Sequence, residues 1–236
     1  MSYFQSEVTP HLLSLFETLF SVQLTDETSR IRDVLSQLDT QLFKSYTKPH
    51  ALQIQSWIEH GIFSPTWASG ARDRSRGVAD LDPSPYVSTV LLHLVTIHSL
   101  TSTTSPNSPL TPRILKSLFE STTTSLINTF SSPRLPAISL PQLMQATLDV
   151  EFISQTLASY TTDAASQTQT DIYQVLDQKT DNGARMALQE ELSRLRIGLK
   201  RLREGTRGQF SCFRRVKRGT VASPNPGIEE EHRGRR

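Results

Sequence analysis

The sequence has little of what several protein classes require. Cys212 is the only cysteine among 236 residues, so an intramolecular disulfide is impossible and a thiolate metal site is not expected. No apolar run reaches the roughly 18 residues that a membrane-spanning helix needs. The N-terminus lacks the basic segment and continuous apolar stretch of a secretory signal. The single cysteine indicates a reducing, cytosolic compartment.

Proline is also absent from residues 142–223, although the chain has 13 prolines. Because proline breaks helices, this gap permits long ones. Leucines inside the gap alternate steps of four and three, which is the spacing of a heptad seam between helices. These leucines are Leu188, Leu192, Leu195, Leu199 and Leu202. The pattern predicts a last helix over 184–204 that would reach 217 if it continued past Gly205 and Gly208.

Apolar residues three and four positions apart predict helices upstream as well. One is expected within residues 4–23, and a second begins near Thr25 and should kink or break at Pro49. The fold class that follows is all-α, an elongated rod of stacked antiparallel helical bundles. Aromatic residues make up only 7% of the chain, which suits seams between helices better than one thick core.

Composition divides the predicted helices into units. Residues 1–63 are expected to form an N-terminal helical hairpin or part of a bundle, and residues 86–218 a C-terminal helical bundle. Between them, residues 64–85 read as a flexible linker, because their centre is small, charged and non-periodic. Residues 219–236 carry Pro, Gly and charge without periodicity, which predicts a disordered tail.

Charge is unevenly distributed along the chain. Residues 1–184 carry 11 Lys/Arg against 17 Asp/Glu, a net of −6, whereas residues 185–218 carry 11 against 3, a net of +8. This asymmetry indicates an acidic protein surface, anionic lipid or nucleic acid as partner, or a solvated helix face that pairs with this chain's own acidic part. Nucleic acid is not expected, because only Phe210 and Phe213 could stack on bases. The candidate contacts with an acidic partner or lipid are Arg194, Lys200, Arg201, Arg203, Arg207, Arg214, Arg215, Lys217 and Arg218.

No arrangement of ionisable residues matches an enzyme. His93 and His98 are five apart and diverge around a helix, whereas two zinc ligands on one face need a spacing of four. Both are predicted to be partly buried polar residues. Asp149 and Glu151 point to different sides of a helix, which predicts solvated surface carboxylates and not an acid–base pair.

Neither a phosphate-binding loop nor a reactive thiol is predicted. Gly205 and Gly208 follow no strand and precede no Lys-Ser or Lys-Thr pair. Neighbouring arginines could lower the pKa of Cys212, but its place between Phe210 and Phe213 predicts a packed thiol. We therefore expect no catalytic, cofactor-binding or metal-ligating residue, no cofactor and no small-molecule substrate.

Four short stretches resemble a known family. They are Tyr86–Leu92, Leu143–Phe152, Leu199–Thr206 and Phe210–Phe213. They are similar to the C-terminal part of the Sec-five subunit of the exocyst (exocyst complex component two), and the fungal form is the nearest. The similarity extends over roughly 1–218, with gaps in the segment 69–85.

The resemblance implies a non-enzymatic rod of helical bundles within a hetero-octamer that holds secretory vesicles at the plasma membrane before fusion. It implies other exocyst subunits as partners and a cytoplasmic location, peripheral at plasma-membrane sites of polarised secretion. It also implies a piece of a longer subunit, and no residue here inherits the small-GTPase site of the animal members. The alternative function is a peripheral membrane-surface binder acting through the basic amphipathic segment 194–218.

Overall fold

A computed structural model of the chain describes residues 8–20, 25–68, 82–106 and 108–214. Its α-helices are α1 (Thr9–Phe20), α2 (Thr25–Ile62), α3 (Pro65–Ala68), α4 (Pro85–Thr104), α5 (Leu110–Ser131), α6 (Leu140–Thr156), α7 (Asp163–Gln178) and α8 (Asn182–Gly205). Short 3₁₀ turns follow α6 at Ala158–Tyr160 and α8 at Ser211–Phe213. Within the described ranges no strand occurs, and the single β-type pairing is an isolated bridge between Ile138 and Thr180. The prediction of an all-α helical bundle is confirmed.

The core lies between the C-terminal half of α2 and helices α4 to α8. Helix α5 packs against α2, α4 and α7, and α6 packs against α8. The largest fully buried side chains are Phe119, Phe130, Phe152 and Phe213. The leucine seam of α8 faces this core, with Leu195 and Leu199 buried and the other three seam leucines packed beside them, partly buried. The predicted role of the seam as a contact between helices therefore holds within this chain.

Helix α2 runs without interruption through Pro49, so the helix does not break at this proline as one reading of the sequence allowed. A proline inside a helix costs about 3 kcal/mol, because it removes a hydrogen bond and crowds the preceding turn. Burial past the proline offsets this cost, since Ile54, Ile58 and Ile62 are completely buried at four-residue intervals. Their contacts with α4 and α5 hold the second half of α2 helical.

Residues 54–62 share one core with helices α4 and α5, so this part of the predicted unit 1–63 is not separate from 86–218. Both ends of the predicted linker 64–85 are ordered as well. Trp67 is buried with its ring 6.2 Å from that of Phe130, and Ser84 is buried at the start of α4. Residues 69–81 and the tail 219–236 lie outside the described residues, so the flexible linker and the disordered tail stay predictions.

Helix α8 ends at Gly205 and does not extend to 217. Glycine destabilises a helix interior by about 1 kcal/mol, and Gly205 and Gly208 come within four residues of each other. The chain turns after Gly205 and buries Phe210 and Phe213, whose rings stack 6.4 Å apart. Apolar burial worth about 2 kcal/mol per ring therefore replaces continuation of the helix over residues 206–214.

Candidate interaction surfaces

Asp149 is a buried charge-bearing residue, and the prediction that it is solvated is wrong. Its side chain is completely buried. Oδ1 accepts hydrogen bonds from the Ser84 backbone N–H at 2.8 Å and from Gln145 Nε2 at 2.7 Å, and the Ser84 and Tyr86 hydroxyls also lie beside the carboxylate. Burial raises the pKa of Asp149 to about 6, and the hydrogen bonds from Ser84, Gln145 and Tyr86 oppose that rise. The carboxylate joins α6 to the start of α4, which is a structural role.

Glu151 is half-buried and likewise serves a contact between helices. Its Oε1 accepts from the Tyr173 hydroxyl of α7 at 2.6 Å, and its Oε2 accepts from Gln155 Nε2 at 2.9 Å. Burial and the hydrogen bond to Glu151 raise the pKa of Tyr173 above its usual range. Asp149 and Glu151 therefore have separate partners and do not form an acid–base pair.

The two predicted histidines are partly buried, as expected, but one of them has a histidine partner. His93 Nε2 of α4 lies 3.1 Å from His50 Nδ1 of α2. Tyr46 packs edge-on against His50 and Trp57 against His93, each with ring centroids 5.0 Å apart. Burial lowers the pKa of both histidines, and the charge of His50 adds to the effect on His93. The neutral pair is a polar contact between α2 and α4.

Three of the predicted arginines converge on one cavity at the C-terminal end of α8. Arg203, Arg207 and Arg214 line a cavity of about 290 Å³, which we call the arginine cleft. The remaining lining residues are Gln155, Thr156, Ala158, Ser159, Thr206, Phe210 and Phe213. Among the described residues that line it, none is acidic. The turn after Gly205 brings the arginines together, since in a continued helix they would lie spread along the rod.

Arg203 is held in place by a chain of hydrogen bonds. Its Nη1 donates to Gln155 Oε1 at 3.0 Å, and Gln155 in turn donates to Glu151. Because Glu151 also accepts from Tyr173, the chain links α8, α6 and α7. The guanidinium group at the cleft is therefore positioned by three helices.

A second cavity of about 380 Å³ adjoins the arginine cleft. The two share Ser159, Phe213 and Arg214. The second cavity adds Lys116 and the buried Thr111, whose Oγ1 has no hydrogen-bond partner among the described residues. No carboxylate lines this cavity within the part of the chain that the structure describes. Sequence reasoning missed Lys116 and Thr111, because both precede the basic segment by about 80 residues or more and nothing local marks them.

The other predicted basic residues are placed differently. Arg194 forms an ion pair with Glu191 at 2.9 Å, one helical turn away on the surface of α8. Lys200 and Arg201 are exposed on the same helix and do not line the cleft. Arg215, Lys217 and Arg218 lie outside the described residues.

Cys212 is half-buried in the turn that follows α8, and burial raises the pKa of its thiol.

A second candidate surface is an apolar stripe on the outer half of α2. Val34, Leu38 and Leu42 lie four residues apart and are 55%, 47% and 60% exposed. The stripe leads into a groove of about 600 Å³ between α2 and the loop that joins α4 to α5. Arg113 closes one side of the groove, pairing with Asp39 at 2.6 Å and lying 4.2 Å from the ring centre of Phe43.

The remaining surfaces of the described residues give no sign of a membrane span. Each helix there is too short or too polar to cross a bilayer.

Neither a curated protein nor a solved structure matches the chain. A family model does match it over residues 1–213, and the description of that family is exocyst complex component Sec5. With nearly the whole chain matched and an all-α bundle observed, this protein belongs to the Sec5 family of exocyst components.

Proposed function

We propose that this chain is a non-enzymatic part of the exocyst that tethers secretory vesicles to the plasma membrane during exocytosis. It acts through helix-mediated contacts with other exocyst subunits, as the C-terminal part of component two of the fungal type. Its place is cytoplasmic and peripheral, at plasma-membrane sites of polarised secretion. Membership of the Sec5 family supports this role.

The observation that carries the proposal is the α2 stripe formed by Val34, Leu38 and Leu42. Contiguous exposed apolar surface on a soluble domain is typical of a protein–protein contact. Spacing of four along one helix face fits a partner helix laid alongside, in the way amphipathic helices dock. Helix α1 adds a second exposed apolar face, since Leu12, Leu15 and Leu19 are each more than half exposed.

A double substitution in the stripe tests this proposal. Leu38→Glu with Leu42→Glu places two charges where a partner helix would bury leucines, so recovery of other exocyst subunits with the tagged chain should fall at least about tenfold. The measurement is affinity purification from the cells that make the protein, with quantitative mass spectrometry of the exocyst subunits.

The matched control is Leu92→Glu, because Leu92 is 49% exposed on α4 and lies outside the stripe. It should leave recovery unchanged. Equal losses from both variants would contradict a specific role of the stripe. Absence of every other exocyst subunit from a folded wild-type bait would overturn the tethering proposal itself.

The second candidate function is binding to an anionic membrane surface through segment 194–218. The exposure of Lys200 and Arg201 on α8 favours it, since each cation near an anionic leaflet contributes about 1 kcal/mol. Co-sedimentation should be greater with vesicles containing phosphatidylserine than with phosphatidylcholine alone. Equal pelleting with both would remove this candidate.

A further inference from the structure

We propose that the arginine cleft is a binding site for a phosphomonoester carried on a small ring, such as a phosphorylated inositol or sugar. The site is a discrete cavity with a defined set of side chains, which distinguishes it from diffuse attraction between a basic helix and an anionic surface. It does not depend on the proposed tethering role and would stand if that role failed.

The charge of the lining determines the class of ligand. Arg203, Arg207 and Arg214 surround a space that no described carboxylate lines. Guanidinium groups bind phosphate oxygens through paired hydrogen bonds, and their planar donors match a phosphate better than a lysine does. Glu151 binds Tyr173 and Gln155, and Glu204, which follows Arg203 along the chain, is exposed outside the lining.

The cleft is partly organised before a ligand arrives. The hydrogen-bond chain from Tyr173 through Glu151 and Gln155 fixes the guanidinium of Arg203. A group that is already positioned loses less conformational entropy on binding, which increases affinity. Phe210 and Phe213 are buried and also line the cleft, so the wall that the arginines share is partly apolar.

Size and surroundings favour a compact ligand over a peptide. The volume of about 290 Å³ is near the lower end for small-molecule sites, whereas a bound acidic peptide needs an extended groove. The adjoining cavity, which Arg214 shares and Lys116 lines, places a further cation beside the cleft for a second phosphate on the same ring.

The test is a titration of the full chain with inositol trisphosphate by isothermal calorimetry, with unphosphorylated inositol as the neutral reference. We expect saturable binding of the first compound and none of the second. The double variant Arg207→Gln with Arg214→Gln should weaken binding at least tenfold. Both arginines are exposed, and circular dichroism should show unchanged helix content.

The matched control is Lys200→Gln with Arg201→Gln, which removes the same charge from the same end of α8 but outside the cleft. It should change the affinity less than twofold. If both double variants weaken binding equally, the attraction is diffuse and the proposal is wrong. Absence of saturable binding, or tighter cleft-dependent binding of a polyglutamate peptide, would also overturn it.

Vesicles then separate the two sources of such a ligand. Phosphatidylcholine vesicles with phosphatidylinositol bisphosphate are compared with phosphatidylserine vesicles of equal charge. If the protein pellets only with the phosphatidylinositol bisphosphate vesicles, and the Arg207→Gln, Arg214→Gln variant does not, the ligand is a lipid headgroup. Pelleting with neither, while soluble inositol trisphosphate still binds, assigns a free phosphorylated metabolite. Both results support the site.

Discussion

Replacement of Asp149 by asparagine is expected to stabilise the protein at neutral pH by up to about 3 kcal/mol. Burial raises the pKa of this carboxyl from 3.8 to about 6, and each unit corresponds to about 1.4 kcal/mol. Between pH 3.8 and about pH 6 the folded state therefore binds more protons than the unfolded state. The free energy of unfolding consequently falls as pH rises through this range. Asparagine removes the buried charge and keeps an oxygen that accepts from Ser84 and Gln145.

The measurement is urea unfolding of both proteins across this window and at pH 7.5. The free-energy difference between them should be small near pH 4, grow up to about pH 6 and then stay constant. Asp149→Ala is the companion variant, since it strands the Ser84 N–H and the Gln145 amide and should destabilise by about 2–4 kcal/mol. Equal destabilisation by asparagine and alanine would show that the buried charge is not the cause.

Gly61→Ala is expected to destabilise the protein by about 3 kcal/mol, the upper end for overpacking a core. A Cβ at this position would lie 2.5 Å from Tyr86 Cδ1, 2.6 Å from its Cβ and 2.7 Å from its Cγ. The Tyr86 ring is buried and its Cβ belongs to α4, so relief requires α2 and α4 to separate. Thermal unfolding and urea unfolding should both show this loss of stability.

Gly205→Ala is the matched control, because nothing lies within 4 Å of the Cβ it would add at the end of α8. Its stability should be unchanged or higher by less than about 1 kcal/mol, since alanine favours the helix. Equal stability of the two variants would show that the approach of Tyr86 does not require glycine at position 61.

Local pattern was sufficient to predict most of the helices and the face they bury. The spacing of Leu195 and Leu199 predicted which side of α8 packs inward, because helical periodicity is a local property. The same reasoning failed for Asp149, whose partner Ser84 lies 65 residues away along the chain. A periodic pattern assigns a residue to a face but does not show which distant donor meets it there.

The arginine cleft could be predicted only in part. The sequence indicated that Arg203, Arg207 and Arg214 are a basic segment, but the expected helix to 217 would have kept them apart. The sequence did contain a signal for the turn after α8. Two weak helix formers, Gly205 and Gly208, precede two apolar anchors, Phe210 and Phe213, and this order favours a turn. The lysine and threonine of α5 that adjoin the cleft depend on tertiary packing and had no such signal.

Because α2 is one continuous helix, a force on its outer end would be transmitted to the helical bundle. The part before Asp39, whose carboxylate pairs with Arg113 of α5, is about 20 Å long at 1.5 Å per residue, and no loop separates it from the buried isoleucines. Pro49 lies between this ion pair and the buried isoleucines, and it removes one backbone hydrogen bond from the helix. A force on the outer end would therefore be transmitted along one continuous helix to the packing of α2 against α4 and α5.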